Sequence, residues 1–290
     1  MADLLDDDFV PDGTFDDAHD DEDAYDSDAH QASHSDAEEP PLSAAPVVSD
    51  AANSKKRKRN REREKFKEKK RMKLAATSEP EPELPSARSP YELAEYLLSM
   101  QAKTSNKMSA IELEDLRIPA DAIADTTAWT GPRTLSELPD FIAKVLPNLR
   151  LRLSQKSKTN GAPTLLFIAG AALRVADVCR VLKDKKLRGD KGGEVAKLFA
   201  RHIKVAQQVS YLLRTRVGSA VGTPGRIGKL LEDDALQISA LSHIILDSSF
   251  QDAKKRTLLD IPETRDEVFK VFSGSVLEGI KAGKIQVVLF

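Results

Sequence analysis

The residues whose types and spacing could hold an anion lie in "VGTPGRIGKLLEDDAL", residues 221 to 236. A small apolar lead-in passes through Thr223, Pro224 and Gly225 into a helical pattern that starts near Arg226. Free N–H groups and the positive dipole end of such a helix attract phosphate. Thr223 adds a hydroxyl, and Arg226 a planar guanidinium suited to phosphate oxygens. The same four residues also make an ordinary strand-to-helix turn, with Thr223 as cap and Pro224 in the first turn. A short motif of this kind leaves nucleotide, nucleic acid and plain turn open.

The elements that must position this turn are legible around it. Apolar runs at 164–169, 195–200, 219–223, 243–247 and 284–290 read as strands, with helical patterns at 171–184, 203–215, 225–232 and 263–281 between them. Alternation of this kind, with nearly continuous apolar strands, predicts an α/β fold whose parallel sheet is covered on both faces. Ligands in that architecture sit beyond the carboxyl ends of the strands. Ahead of the sheet, Ser89 and Pro90 read as the N-cap and first position of a helix. The stretch "TLSELPDFIAKVLPNLRLRL" reads as helical with breaks at its prolines.

Charge is sorted by position along the 290 residues. Residues 1–50 hold 17 Asp and Glu and no Lys or Arg, whereas residues 55–73 hold 13 Lys and Arg and 3 Glu. Blocks of like charge repel themselves and are expected to stay disordered. The expected division is an acidic tail at 1–54, a basic segment and Pro-rich linker at 55–88, and an α/β domain with N-terminal helices at 89–290. The cations Lys55, Lys56, Arg57, Lys58, Arg59, Lys69, Lys70 and Arg71 form a patch read by a nuclear import receptor or by nucleic-acid phosphates. The longest apolar run, "LLFIAGAAL", is too short to span a bilayer, so no membrane partner is expected. The single cysteine, Cys179, falls on an apolar helix face and reads as a buried, inert thiol. Trp129 reads as a packing anchor, with base stacking as the alternative.

Asp247 closes the apolar strand "HIILD" 24 residues after Thr223. A Thr-Pro-Gly-Arg turn, a short helix and an apolar strand ending in Asp at that separation resemble the first lobe of the DEAD-box RNA helicases. The resemblance implies a single RecA-like, doubly wound parallel sheet. It implies that Thr223, Pro224, Gly225 and Arg226 contact an RNA backbone. It also makes Asp247 the remnant of a metal-holding Asp-Glu-Ala-Asp stretch. The departures fall where the chemistry would be: Ser248 and Phe250 stand in place of the Glu and the last Asp. No Gly-x-x-x-x-Gly-Lys-Ser/Thr stretch supplies a phosphate cradle. "GPRT" at 131–134 lacks the lysine and a strand before it, and "GDKGGE" at 189–194 reads as a turn. The chain ends at Phe290 after the strand "KIQVVLF", so no second lobe and no ATP-driven stroke are expected.

A closer resemblance covers most of residues 125–290. "AALRVADVCRVLK", "KLFARHIKV", "VGTPGRIGKLL" and "LLDIPETRDEVFKVF" are similar to the Cms-type small-subunit ribosome-biogenesis factors, which carry a degenerate single helicase lobe. Membership implies a nuclear, nucleolar protein with no catalytic residues, no metal and no cofactor, whose partners are pre-ribosomal RNA and small-subunit pre-ribosome proteins. By the helicase analogy, Gly170 and Arg174 fall where another RNA-contacting loop would lie. Arg201 and Lys204 follow a strand within reach of a backbone, and Gln207 resembles the glutamine that follows the corresponding helicase strand. The rival expectations are a protein–protein scaffold on the same fold and an ATP-dependent helicase, the latter disfavoured by the missing phosphate loop.

Overall fold

Short apolar runs bounded by turn residues become five parallel strands in the computed structural model, which describes residues 85–104 and 108–290. The strands are β1 (Leu165–Ile168), β2 (Glu194–Leu198), β3 (Val217–Gly222), β4 (His243–Leu246) and β5 (Gln286–Leu289). Their order in the sheet is β2-β3-β1-β4-β5, and every pairing is parallel. The expected parallel α/β sheet is therefore present, each strand within a few residues of its predicted place. The acidic tail, the basic segment 55–73 with its import cations, and most of the linker lie outside the described residues.

The helices are α1 (Pro90–Thr104), α2 (Ala110–Asp115), α3 (Leu138–Val145), α4 (Pro147–Leu153), α5 (Ala172–Leu182), α6 (Lys185–Arg188), α7 (Val205–Arg214), α8 (Pro224–Glu232), α9 (Pro262–Val271) and α10 (Gly274–Lys281). Ser89 caps α1 as predicted: its Oγ accepts from the Glu92 N–H at 3.4 Å, and its own N–H donates to the Glu92 carboxylate at 2.9 Å. Pro147 restarts the chain after α3, because proline tolerates the first helical turn and nothing further in. The single helix predicted over 263–281 is two, divided at Ser273 where Gly274 turns to φ +55°.

Period-2 alternation in the strands sorts the core into two layers. Leu166, Ile168, Ile244 and Leu246 face α1, α7, α8, α9 and α10, while Leu165, Phe167, Val221 and Ile245 face α3, α4 and α5. With the chain leaving β1 toward β2 on one face and returning across β1 to β4 on the other, the sheet is doubly wound. Its topological switch lies at β1. Cys179 sits within the second layer, and burial pushes its thiol up to about 12, so it stays a thiol. No helix among the described residues is long and apolar enough to cross a membrane.

The outer edge of β5 carries one isolated bridge. Ile123 makes a parallel bridge to Val287, and the Ala124 N–H donates to the Val287 carbonyl at 2.9 Å. Residues 125–134 then follow at the carboxyl end and lead into α3. "GPRT" follows this bridge with no strand of its own before it among the described residues, as expected. Its Arg133 is 8% exposed, donates to the carbonyls of Leu289 and Thr126 and to the Thr126 hydroxyl, and lies over the Phe141 ring at 5.3 Å. Burial alone lowers its guanidinium to about 10. Trp129, Phe141 and Phe290 stack edge to face behind it. Trp129 is therefore a packing anchor, closed over Gly131 and topped by Lys144.

Gly222, at the end of β3, is required by close approach. A Cβ there would stand 2.4 Å from the Leu198 carbonyl and 2.7 Å from the Leu198 Cβ, neither of which can swing aside. Gly222→Ala is expected to cost about 1–3 kcal/mol, read as a lower urea midpoint at an unchanged slope.

Candidate nucleic-acid interface

All five strands end on one line, because Leu198, Gly222, Ile168, Leu246 and Leu289 are register partners across the sheet. The following loops therefore share one edge: Ala169–Ala171 after β1, Phe199–Lys204 after β2, Thr223 after β3 and Asp247–Phe250 after β4. The sequence-predicted residues, scattered over 78 positions from Gly170 to Asp247, are gathered here by parallel topology. Helices α5 and α8 begin at this edge on opposite faces of the sheet, and no side chain caps either of them. Their first N–H groups and dipole ends meet at the switch point between β1 and β3, where such a fold takes ligands.

The Thr-Pro-Gly-Arg turn itself is tied down from several sides. The Thr223 N–H donates to the Leu198 carbonyl at 3.0 Å, and the Thr223 carbonyl accepts from Ile227. Gly225 lies against the Glu267 carboxylate of α9, whose Oε1 is 2.4 Å from where a Cβ would project. Arg226 turns inward: its Nη1 donates to the Ile203 carbonyl at 3.1 Å and to Gln208 Oε1 at 2.8 Å. Gln208 in turn donates to the carbonyls of Lys197 and Phe199. Arg226 thus first serves to lock α8, α7 and the end of β2 together. Sequence reasoning selected Gln207, whose Oε1 accepts from the Lys204 N–H at the start of α7, and passed over its neighbour. The signal for Gln208 was available: it is four residues before Leu212 on the buried face of α7, where an amide needs partners.

At the end of β4, Asp247 is 1% exposed and fully engaged. Arg174 Nε donates to its Oδ2 at 2.7 Å and Nη2 to its Oδ1 at 3.2 Å, a two-armed pair. Ser249 Oγ and the Phe250 N–H also donate to Oδ1, and the Arg174 guanidinium lies 5.5 Å over the Phe250 ring. Ser248 donates its hydroxyl to the Phe290 carbonyl. Arg174, expected to contact RNA, lies in this structure on the Asp247 carboxylate. A buried carboxylate needs a counter-charge, and Arg174 is the cation within reach.

The loop after β2 is different in character. Arg201 and Lys204 are exposed in the loop that precedes α7, and Arg201 Nε donates to the ring of His202, itself at φ +61°. Gly170 lies in the loop after β1, with Leu258 3.6 Å from where its Cβ would be. The edge therefore pairs one closed end, at Asp247, with one open and basic end, at Arg201, Lys204 and Thr223.

Known proteins similar to this chain bear on the reading. Protein CMS1 of Chaetomium thermophilum is 39% identical over 181 residues, which is 62% of this chain and 70% of that protein. Human protein CMSS1 is 34% identical over 187 residues, 64% of this chain and 63% of its own length. Among solved structures, a DEAD box protein from Methanococcus jannaschii is similar over 55% of this chain and 37% of its own, at 19% identity and a TM-score of 0.33. The family model described as "CMS1: U3-containing 90S pre-ribosomal complex subunit" matches residues 43–290, which include all of the described fold. The chain belongs to this family of 90S pre-ribosomal complex subunits.

Proposed function

We propose that this protein is a non-enzymatic RNA-binding factor of the nucleolus, acting in small-subunit ribosome assembly by holding pre-ribosomal RNA and neighbouring pre-ribosome proteins. The contact surface is the open end of the strand-end edge: Thr223 to Arg226, Gly170, Arg201 and Lys204. The basic segment 55–73 adds phosphate contacts and serves as the import signal, ahead of an α/β domain that begins near residue 89. Such contacts read phosphate and shape more than base sequence.

One observation carries the reading. The same edge that leaves two uncapped helix starts beside Arg201 and Lys204 has its acidic position sealed by the Arg174–Asp247 pair. A divalent metal at Asp247 would have to displace a two-armed guanidinium, whereas Arg201 keeps its Nη groups free of any carboxylate partner among the described residues at the other end. The inward Arg226 and the Glu267 carboxylate at Gly225 favour a second reading, in which the turn is structural and the fold serves as a protein scaffold.

Charge reversal separates the two. Arg201→Glu with Lys204→Glu is expected to weaken binding of the full chain to a labelled oligouridine by about tenfold and to flatten its salt dependence. Unchanged affinity and slope would favour the scaffold, as would in-cell crosslinks from residues 201–226 to protein alone.

A further inference from the structure

A second basic surface lies at the opposite end of the sheet, away from every residue placed at the strand-end edge. Residues 141–176 contain no Asp or Glu, and four of their cations, Arg150, Arg152, Lys156 and Lys158, fall on α4 and the loop after it. Two positions apart on a helix, Arg150 and Arg152 point to opposite sides. Each borders its own cleft. On one side, a cleft of about 340 Å³ is lined by Arg152, Lys156, Lys158 and the hydroxyl residues Ser157, Thr159 and Thr164. On the other, a cleft of about 470 Å³ lies between α4 and α6 and is lined by Arg150, Leu151, Lys185 and Lys186. Neither lining includes a carboxylate.

The two arginines are held in place by backbone. Arg152 Nη2 donates to the Ala240 carbonyl at 3.2 Å and Arg150 Nη2 to the Lys186 carbonyl at 3.4 Å. One nitrogen of each is anchored, which spares part of the side-chain entropy a bound anion would otherwise have to overcome. The local field is registered by His243 at the amino end of β4. Burial first, and the Arg152 charge second, push its imidazole down to about 4. Thr164 immediately precedes β1, so the first cleft opens at the amino edge of the sheet. The length of β1, about 10 Å, separates it from the Thr223 edge. No single phosphate bridges the two.

We infer that α4, with its flanking clefts, is a second binding surface for the sugar–phosphate backbone of RNA. The first cleft sets its cations among hydroxyl donors with no carboxylate in its lining, the donor set that phosphate contacts use, while in the second Lys185 Nζ also lies 3.9 Å from the exposed Asp190 carboxylate. Two such clefts on either side of one helix, about 10 Å across, would take phosphates from two stretches of backbone. This surface rests on the reading that the chain binds RNA, but not on the strand-end edge being where it does so.

The test uses the full chain and a labelled oligouridine, with affinity measured against salt concentration. The variants are Lys156→Gln with Lys158→Gln, both exposed loop side chains, and these two combined with Arg150→Gln and Arg152→Gln. Each single-strand phosphate that is no longer neutralised should take about 0.7 from the salt slope, so the fourfold variant is expected to give up about 2 or more and to bind about tenfold more weakly. If the fourfold variant melts early, the loop pair alone decides, with a fall of about 1 expected in its slope. RNA affinity and slope equal to the unsubstituted chain would overturn the inference. So would a loss confined to polyglutamate binding, which would mark a docking site for an acidic protein. Weaker binding here with full binding by the Arg201/Lys204 variant would sink the strand-end reading and leave this one standing. The reverse pattern would sink this one alone.

Discussion

Replacing Arg174 with alanine should lower the folding free energy by about 3–5 kcal/mol, the cost of leaving one member of a buried ion pair without the other. The Asp247 side chain is 0% exposed and that of Arg174 13%, so water cannot replace the guanidinium without opening the end of β4. Three donors besides Arg174 Nε reach the carboxylate or its neighbour Ser249, and they hold it where it is rather than letting it rotate out. The magnitude separates this pair from the others on the same helix. Arg180 and Asp177 also pair, at 2.6 Å, but with side chains 75% and 48% exposed. Arg180→Ala should therefore change stability by no more than about 0.5 kcal/mol. Arg174→Met combined with Asp247→Leu should return most of the loss, because an apolar pair of similar volume removes the stranded charge. Urea unfolding of the four proteins checks the set. An Arg174→Ala cost as small as that of Arg180→Ala would show the pair to be solvated, and with it the closure of the acidic end of the site would fail.

The second large effect is a loss of stability in mild acid, through His243. Its imidazole is buried, accepts or donates at 2.9 Å to the Ser242 hydroxyl, and lies near the Gln286 side chain and the Arg152 charge. Folded, it titrates at about 4, mainly because burial disfavours the cation. Unfolded, it titrates near 6.5. Between those values the unfolded chain binds the proton first, so stability must rise with pH through this window and fall as pH drops through it. Above about 6.5 neither state is protonated, and below about 4 both are, so the effect is confined between them. The linkage amounts to about 2 kcal/mol lost between pH 7 and 5, and about 3 by pH 4. Carboxylates held low by hydrogen bonds, such as Asp125 and Asp252, contribute their own losses at lower pH. The clean measurement is therefore a difference: the urea midpoint of the chain against that of His243→Gln, from pH 7 to pH 4. The gap between the two should close as the pH falls. A gap independent of pH would place His243 in solvent contact, against its 5% exposure.

Both predictions concern groups that the sequence displays without their partners. Asp247 was legible as the end of an apolar strand 24 residues after Thr223, since type and spacing are one-dimensional facts. Arg174, 73 positions earlier, carried no mark of being its counter-ion. Likewise the apolar runs were enough to place five strands, because burial on both faces favours continuous hydrophobicity over four to six residues, as in β1 and β4. The helix at 263–281 was misread as one piece because a Ser-Gly pair inside a helical period breaks it only if the glycine takes a left-handed turn, and tertiary packing makes that choice.

By itself, then, the sequence determined the class of fold, the capped start of α1 and the Thr223 turn. These rest on local propensity, periodicity and residue identity, which are written along the chain. Only the tertiary structure decided that Arg174 neutralises Asp247, that Arg226 is anchored by Gln208, and that Ile123 makes an isolated bridge to β5. It also decided that Arg150 and Arg152 border separate clefts at the far edge. Each of these is a meeting of residues far apart in sequence or on opposite sides of a helix, and parallel crossovers bring them together in an order that residue spacing does not encode.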